Sequence, residues 1–158
     1  MSIRNTVKAL IIKDNKILLN RCRDEKFGDY FSLPGGGQNK YETLHEAVVR
    51  ECLEETGYHV KPVRLAALCE TIFTNEESRK NHPNLAHRMY HVFICELLDS
   101  QQSTPTEKDA MQVGSEWVDI SQLTATSDVR LFPMAVGENL QEILDGTAPV
   151  FLGSDYKD

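Results

Sequence analysis

The stretch GGGQNKYETLHEAVVRECLEETGY runs from Gly35 to Tyr58 and follows Pro34. A proline followed by three glycines fits neither a helix nor a central strand, so this part is a loop. Thr43-Leu44-His45-Glu46 then reads as a capping box, with a threonine at the N-cap and a glutamate three residues later. The spacing predicts a helix to about Thr56, with Gly57 as its left-handed C-terminal cap.

Glu51, Glu54 and Glu55 are three and four residues apart, so they fall on one side of this helix, near its C-terminus. Like charges at that spacing repel by a few tenths of a kcal/mol per pair. The negative end of the helix dipole adds about 0.3 to 1 kcal/mol for each anion. Arg50 is the one cation set among them. A helix built only for stability would carry cations here. The plain alternative is a solvated acidic face. The fixed distances from the glycine loop favour a bound cation, and clustered hard oxygens suit Mg²⁺.

Working outward, Thr6 to Ile12 and Lys16 to Leu19 read as a hairpin turned at Asp14-Asn15. Asn20 to Tyr30 reads as a polar stretch. Beyond the helix, Tyr58 to Val60 and Val63 to Phe73 read as strands separated by Pro62. Thr74 to Ala86 and Asp99 to Gly114 read as loops around a central strand, Arg88 to Leu98. Glu116 to Val118 reads as a short strand, Asp119 to Leu123 as a helical turn and Ala135 to Leu144 as a last helix. Strands on both sides of a helix indicate an α/β sandwich with a mixed β-sheet. The chain has 158 residues and no evident linker, so residues 1–158 are expected to form one domain.

The formal net charge is -7, which speaks against nucleic acid as a partner and in favour of a small molecule. If that molecule carries phosphates, something cationic must stand between it and the protein. Cys22, Cys52, Cys69 and Cys95 form no CxxC pair, and buried thiols in a reducing compartment are expected. No apolar run approaches the roughly 20 residues that span a bilayer. No membrane association is expected, and the default compartment is the cytoplasm.

Gly36, five residues, Glu42, seven residues, then Arg50-Glu51-Cys52-Leu53-Glu54-Glu55-Thr56-Gly57-Tyr58 resembles the signature of the Nudix hydrolases, with every fixed position filled. The resemblance implies an α/β/α sandwich and an enzyme that hydrolyses a nucleoside diphosphate linked to another group, with Mg²⁺ or Mn²⁺ as cofactor. It implies Glu54 and Glu55 as main metal ligands and Glu51 as a further ligand or the base. Arg50 would orient a carboxylate, and a carbonyl at Gly35 or Gly36 would complete the metal shell. Asn39 and Tyr41 stand where family loops often carry a glutamate and a glycine. Relatives that cleave ADP-ribose often have a proline shortly past the signature, and neither Pro62 nor Pro83 supplies that cue. Dimers are common among relatives, and a homodimer is carried over on that ground. A nucleotide sensor without catalysis and an RNA 5′-end hydrolase are the competing readings.

Arg21 and Arg23 suit phosphate oxygens, with surface arginines as the alternative. Glu107 and Asp109 are candidates for an additional acid, and Tyr30, Phe31 and Tyr41 for stacking on a base. Of these, Phe31 reads better as core and Tyr41 as exposed. Trp117 reads as core. His87 and His91 point the same way on a strand, with ordinary sheet positions as the bland alternative.

Overall fold

The computed structural model describes residues 2–125 and 128–158. In chain order the first elements are β1 (Arg4–Lys13), β2 (Lys16–Asp24), β3 (Gly28–Ser32), α1 (Leu44–Thr56), β4 (Val60–Phe73) and α2 (Glu76–Asn81). Then follow β5 (His87–Leu97), β6 (Gln112–Asp119), α3 (Ile120–Ala125), β7 (Leu131–Phe132), α4 (Met134–Glu138), α5 (Leu140–Asp145) and β8 (Val150–Lys157).

The β1–β2 turn is the one expected. Asp14 and Asn15 have φ of 50° and 60°, the pair of left-handed residues that a tight hairpin needs. The two strands pair only at their base, at Ile12↔Ile17 and Lys13↔Lys16. Beyond that they part. β1 runs parallel to β5, which pairs with β4 and through it with β8. β2 takes β3 and β6 as antiparallel partners. Parting leaves one edge of β1 without a strand, and the glycine loop fills it. Val7 and Ala9 N–H donate to the carbonyls of Gly36 and Pro34, each at 2.9 Å.

Period-two alternation along β1 feeds two cores. Val7, Ala9 and Ile11 face Ala47, Val48 and Cys52 of α1, with Phe93 and Cys95. Leu10 and Ile12 face the opposite side, with Val136, Leu140 and Ile143 of α4 and α5. Helices thus cover both faces of a mixed sheet, as expected.

Several elements differ from the sequence reading. Asn20 to Tyr30 is mostly strand, because β2 continues to Asp24 and β3 pairs back onto it. β4 is continuous through Pro62, with register shifts at Pro62/Arg64, next to the residue that lacks a donor, and at Leu65/Ala67. The loop after β4 contains α2, capped by Asn75. The last helix is two, parted at Asn139. β7 and β8 carried no readable signal: one is two residues long, the other an edge strand with mixed exposure. No helix among the described residues is long and apolar enough to cross a membrane.

α1 ends as its sequence dictates. Thr43 accepts from Glu46 N–H, Glu46 accepts from Thr43 N–H, and Gly57 sits at φ 75°. A Cβ on Gly57 would also collide with the Ser103 carbonyl. Left-handed backbone and lost space act together, so Gly57→Ala should destabilise the protein by about 2 kcal/mol or more. Urea unfolding measures this, and a loss below about 0.5 kcal/mol would contradict the cap geometry.

Candidate active site

The site lies where the glycine loop passes the C-terminal half of α1. Arg50 organises it. Its Nε and Nη2 grip Glu42 at 2.7 and 3.0 Å, and Nη2 also reaches the Gly37 carbonyl at 3.0 Å. Its Nη1 donates to Glu51 at 2.8 Å and to Glu54 at 3.1 Å. The guanidinium holds the Glu42 carboxyl below the usual carboxylate range. The hydrogen bonds Arg50 donates to Glu42, and then to Glu51, push its own pKa up, so it stays charged.

Glu51 and Glu55 meet the loop itself. The Glu51 carboxyl lies 2.6 Å from where a Cβ on Gly36 would be, so a side chain there would push the carboxyl from this position. Glu55 is buried, and its Oε2 accepts from Asn20 Nδ2 and from Gly35 N–H, both at 2.9 Å. Gln112 Nε2 donates to the Asn20 Oδ1 and the Glu55 carbonyl, each at 3.1 Å. Burial is the largest influence on both acids. It raises Glu51, and it pushes Glu55 up to about 7 against Lys8 and the two donors.

The exposed carbonyls at the end of α1 are also satisfied. Thr106 and Glu107 N–H donate to the Glu54 carbonyl at 2.9 and 3.0 Å, and Gln102 Nε2 to that of Thr56 at 2.8 Å. These bonds tie the 102–112 loop to the helix end. Glu107 and Asp109 thereby join the lining of a cleft of about 800 Å³. Glu51, Glu55, Gly35, Gly36, Tyr30 and Phe132 line it as well. That volume suits a nucleotide-sized ligand.

Of the expected metal donors, Glu51, Glu55 and Gly36 line the cleft, while Glu54 is tied to Glu51 through Arg50. The Gly36 carbonyl already accepts from Val7 N–H. Among the described residues, no three His, Cys, Asp or Glu side chains stand as a ready-made ion cage. Mg²⁺ does not require one: it binds through one or two carboxylates with waters and substrate phosphates. The donor set therefore fits such an ion.

Arg21, Arg23 and Tyr41 are not brought to this cleft. Along β2, Asn20 and Cys22 turn inward, so Arg21 and Arg23 turn outward. Arg21 stands 3.9 Å from Glu116, and Arg23 pairs with Asp29 at 2.7 Å. Tyr41 is fully exposed on a neighbouring depression, at φ 67°. It keeps a left-handed turn that glycine would adopt more easily. His87 is engaged by Glu70 at 3.2 Å, and neither it nor His91 lines the cleft; Arg88 and Tyr90 do. Trp117 packs edge-on against Tyr58, and Phe31 against the core, as expected. Burial pushes all four cysteine thiols up, which argues against a thiolate nucleophile near neutral pH.

Residues that the sequence reading missed are Lys8, Asn20, Arg88 and Gln112. Lys8 is buried within β1 and donates to the Leu33 and Gly35 carbonyls at 3.0 and 3.3 Å. A lysine inside an aliphatic strand was the one signal available for it.

The family model described as NUDIX domain matches residues 3–135. The chain belongs to that family. It is similar to the YjhB protein of Bacillus subtilis (strain 168), provisionally named an ADP-ribose pyrophosphatase: 34% identical over 102 residues, 64% of this chain and 45% of that one. It is also similar to the ADP-ribose pyrophosphatase of Methanocaldococcus jannaschii, 53% identical over 51 residues, 32% of this chain and 30% of that one. The chain thus spans less than half the length of either relative. A crystal structure of an ADP-ribose pyrophosphatase from Streptococcus suis superposes with TM-score 0.64 and 22% identity, covering 95% of this chain and 99% of that one. The MutT protein of Methanosarcina mazei Go1 gives 0.66 and 20%, covering 91% and 96%. These two likenesses show the shared fold.

A pH dependence follows from Glu55. Its folded pKa of about 7 lies above the ordinary glutamate value of about 4.5, so the folded state binds the proton more tightly. The associated stability is full below about pH 4.5 and is lost as pH rises through about 7. In a chelator, thermal stability should therefore fall between pH 5 and 8, by on the order of 3 kcal/mol. Glu55→Gln should flatten the curve. An equally steep fall in that variant would remove Glu55 as the cause.

Proposed function

We propose that this chain is a Mg²⁺-dependent pyrophosphohydrolase that cleaves the phosphoanhydride of a nucleoside diphosphate linked to another group. Mn²⁺ would be an alternative ion. ADP-ribose is the leading substrate, on the names of the two relatives. The observation that carries the reading is the arrangement of the glutamates. Arg50, Asn20 and Gly35 N–H each hold a carboxylate oxygen of the set; these contacts fix Glu51 and Glu55 in the lining of a nucleotide-sized cleft and tie Glu54 to Glu51. Three acids at the negative end of a helix are costly unless a cation or a proton joins them.

In this reading Glu51, Glu54 and Glu55 would hold the ion, and the Gly36 carbonyl would be a further donor. A bound Mg²⁺ supplies charge neutralisation on phosphate oxygens and makes a water more acidic. The protein supplies position. Arg50 fixes Glu51 and Glu54 relative to the loop, and Asn20 with Gly35 N–H fixes Glu55. A carboxylate of this set, Glu51 or Glu55, takes the proton of the attacking water. That water's oxygen bonds to phosphorus, the bridging P–O bond breaks, and two phosphomonoesters leave. Arg21, Arg23 and Tyr41 have no part in the reading.

Residues 1–158 are read as one domain, because β8, beyond the matched region, pairs with β4 in the same sheet. Four buried free cysteines support a reducing compartment such as the cytoplasm.

The test is a panel of ADP-ribose, nucleotide sugars, dinucleoside polyphosphates and nucleoside triphosphates with Mg²⁺ or Mn²⁺. ADP-ribose should yield AMP and ribose 5-phosphate. Glu54→Gln should lower kcat at least about 100-fold with an unchanged circular dichroism spectrum. Absence of turnover across the panel would favour a nucleotide sensor. Near-normal turnover in Glu54→Gln would end the assignment of that residue to the metal.

A further inference from the structure

The cleft has a second wall, built from sheet residues, whose charge is opposite to that of the helix. Arg4 and Arg88 are direct partners in the parallel β1–β5 register, and both line the cleft. Like charges placed opposite each other on neighbouring strands destabilise a sheet. Neither side chain has an ion pair or hydrogen bond with a described residue. Arg88 Nε is sealed from water with no acceptor, and its guanidinium rests on the Tyr90 ring, 5.3 Å from the centroid.

Two more cations crowd the same wall. Lys8 and Lys157 stand 6.0 and 5.4 Å from the centroid of one ring, Phe132, and Tyr90 meets that ring edge-on at 5.7 Å. Lys157 has Asp155 at 3.3 Å, while Lys8 is held by backbone carbonyls. The chain carries 17 lysines and arginines against 24 acids, so gathering four of those cations on one wall is not a matter of supply. Lys8 also acts on the Glu55 and Glu51 carboxyls, which leaves Arg4 and Arg88 as the two whose counter-charge a ligand in the cleft would supply.

The wall and the glutamates are close. Arg4 lies against Gly37, Lys8 donates to the Gly35 carbonyl, and Glu51 lies against Gly36. Acids and cations thus meet across a ribbon that carries no side chains. A ligand can engage both at once.

We propose that Arg4 and Arg88 form a subsite for a phosphomonoester group, with Lys8 and Lys157 beside it. The proposal rests on reading the cleft as a nucleotide site. It adds that phosphate is held by this wall through the chain's own cations, independently of any ion on the glutamates. Arginine suits the task because its planar fork matches phosphate oxygens. The phosphate can come from the nucleoside side or from the other side of the cleaved bond.

Titration calorimetry in EDTA at low salt tests this, with adenosine, AMP and ribose 5-phosphate as probes. For the wild-type protein, AMP should bind at least about 10-fold tighter than adenosine, or ribose 5-phosphate should bind measurably, and added salt should weaken either. Arg4→Gln and Arg88→Gln should each lower that phosphomonoester affinity about 10-fold, with melting temperature followed as a check on folding. Arg4 is exposed, so its variant keeps the test valid if Arg88→Gln folds poorly. Which probe responds identifies the side that carries the phosphate. Absence of binding by both phosphomonoesters, or binding that Arg4→Gln leaves unchanged, overturns the subsite. Because no metal or turnover is involved, this outcome is independent of the hydrolase assay.

Discussion

One guanidinium joins the parts of this site. Arg50 uses Nε, Nη1 and Nη2 on Glu42, Glu51, Glu54 and the Gly37 carbonyl. Glu42 and Gly37 belong to the loop, while Glu51 and Glu54 belong to the helix, so one side chain fixes the register between them. The pairing is half-buried, not exposed. Surface ion pairs contribute about 0 to 1 kcal/mol, whereas removing one partner of a buried set costs several times that. Arg50 also leaves a net negative charge behind. It orders the acids without cancelling them, and that residual charge attracts a cation.

The rest of the fold supplies what Arg50 cannot. β1 and β2 part after two residue pairs, and the opening admits the glycine loop against β1. Crowding requires glycine at Gly35, where a Cβ would collide with the Val7 carbonyl, and a Cβ on Gly36 would displace the Glu51 carboxyl. The 102–112 loop closes the other side by satisfying the carbonyls of Glu54, Glu55 and Thr56. These bonds hold a helix end that would otherwise expose several acceptors next to its own anions. The surroundings that bury Glu55 also raise its proton affinity, so a cation bound as proposed would compete with a proton for that carboxylate.

The sequence made α1 legible from end to end, because a capping box, a C-terminal glycine and a 3.6-residue period are local signals. The β1–β2 turn was legible for the same reason. The cleft-facing residues were legible only in part: Tyr30, Glu107 and Asp109 line it, but the cations that do were not read. Arg21 and Arg23 looked suitable by type, yet strand alternation turns them outward from Asn20 and Cys22. His87 and His91 drew notice, while their neighbours Arg88 and Tyr90 face the cleft. Each of these outcomes turns on which face a strand presents, and one step of register inverts it.

The sequence by itself determined the helix, its caps, the glycine loop and the line of glutamates, since backbone propensity and charge spacing act within a few residues. Only the tertiary structure decided that Asn20, Gln112 and Gly35 N–H would hold Glu55. It alone set Arg4 against Arg88 on the facing wall. Those contacts join strands far apart in the chain. Their geometry comes from sheet pairing and from burial, which no local pattern of residues encodes.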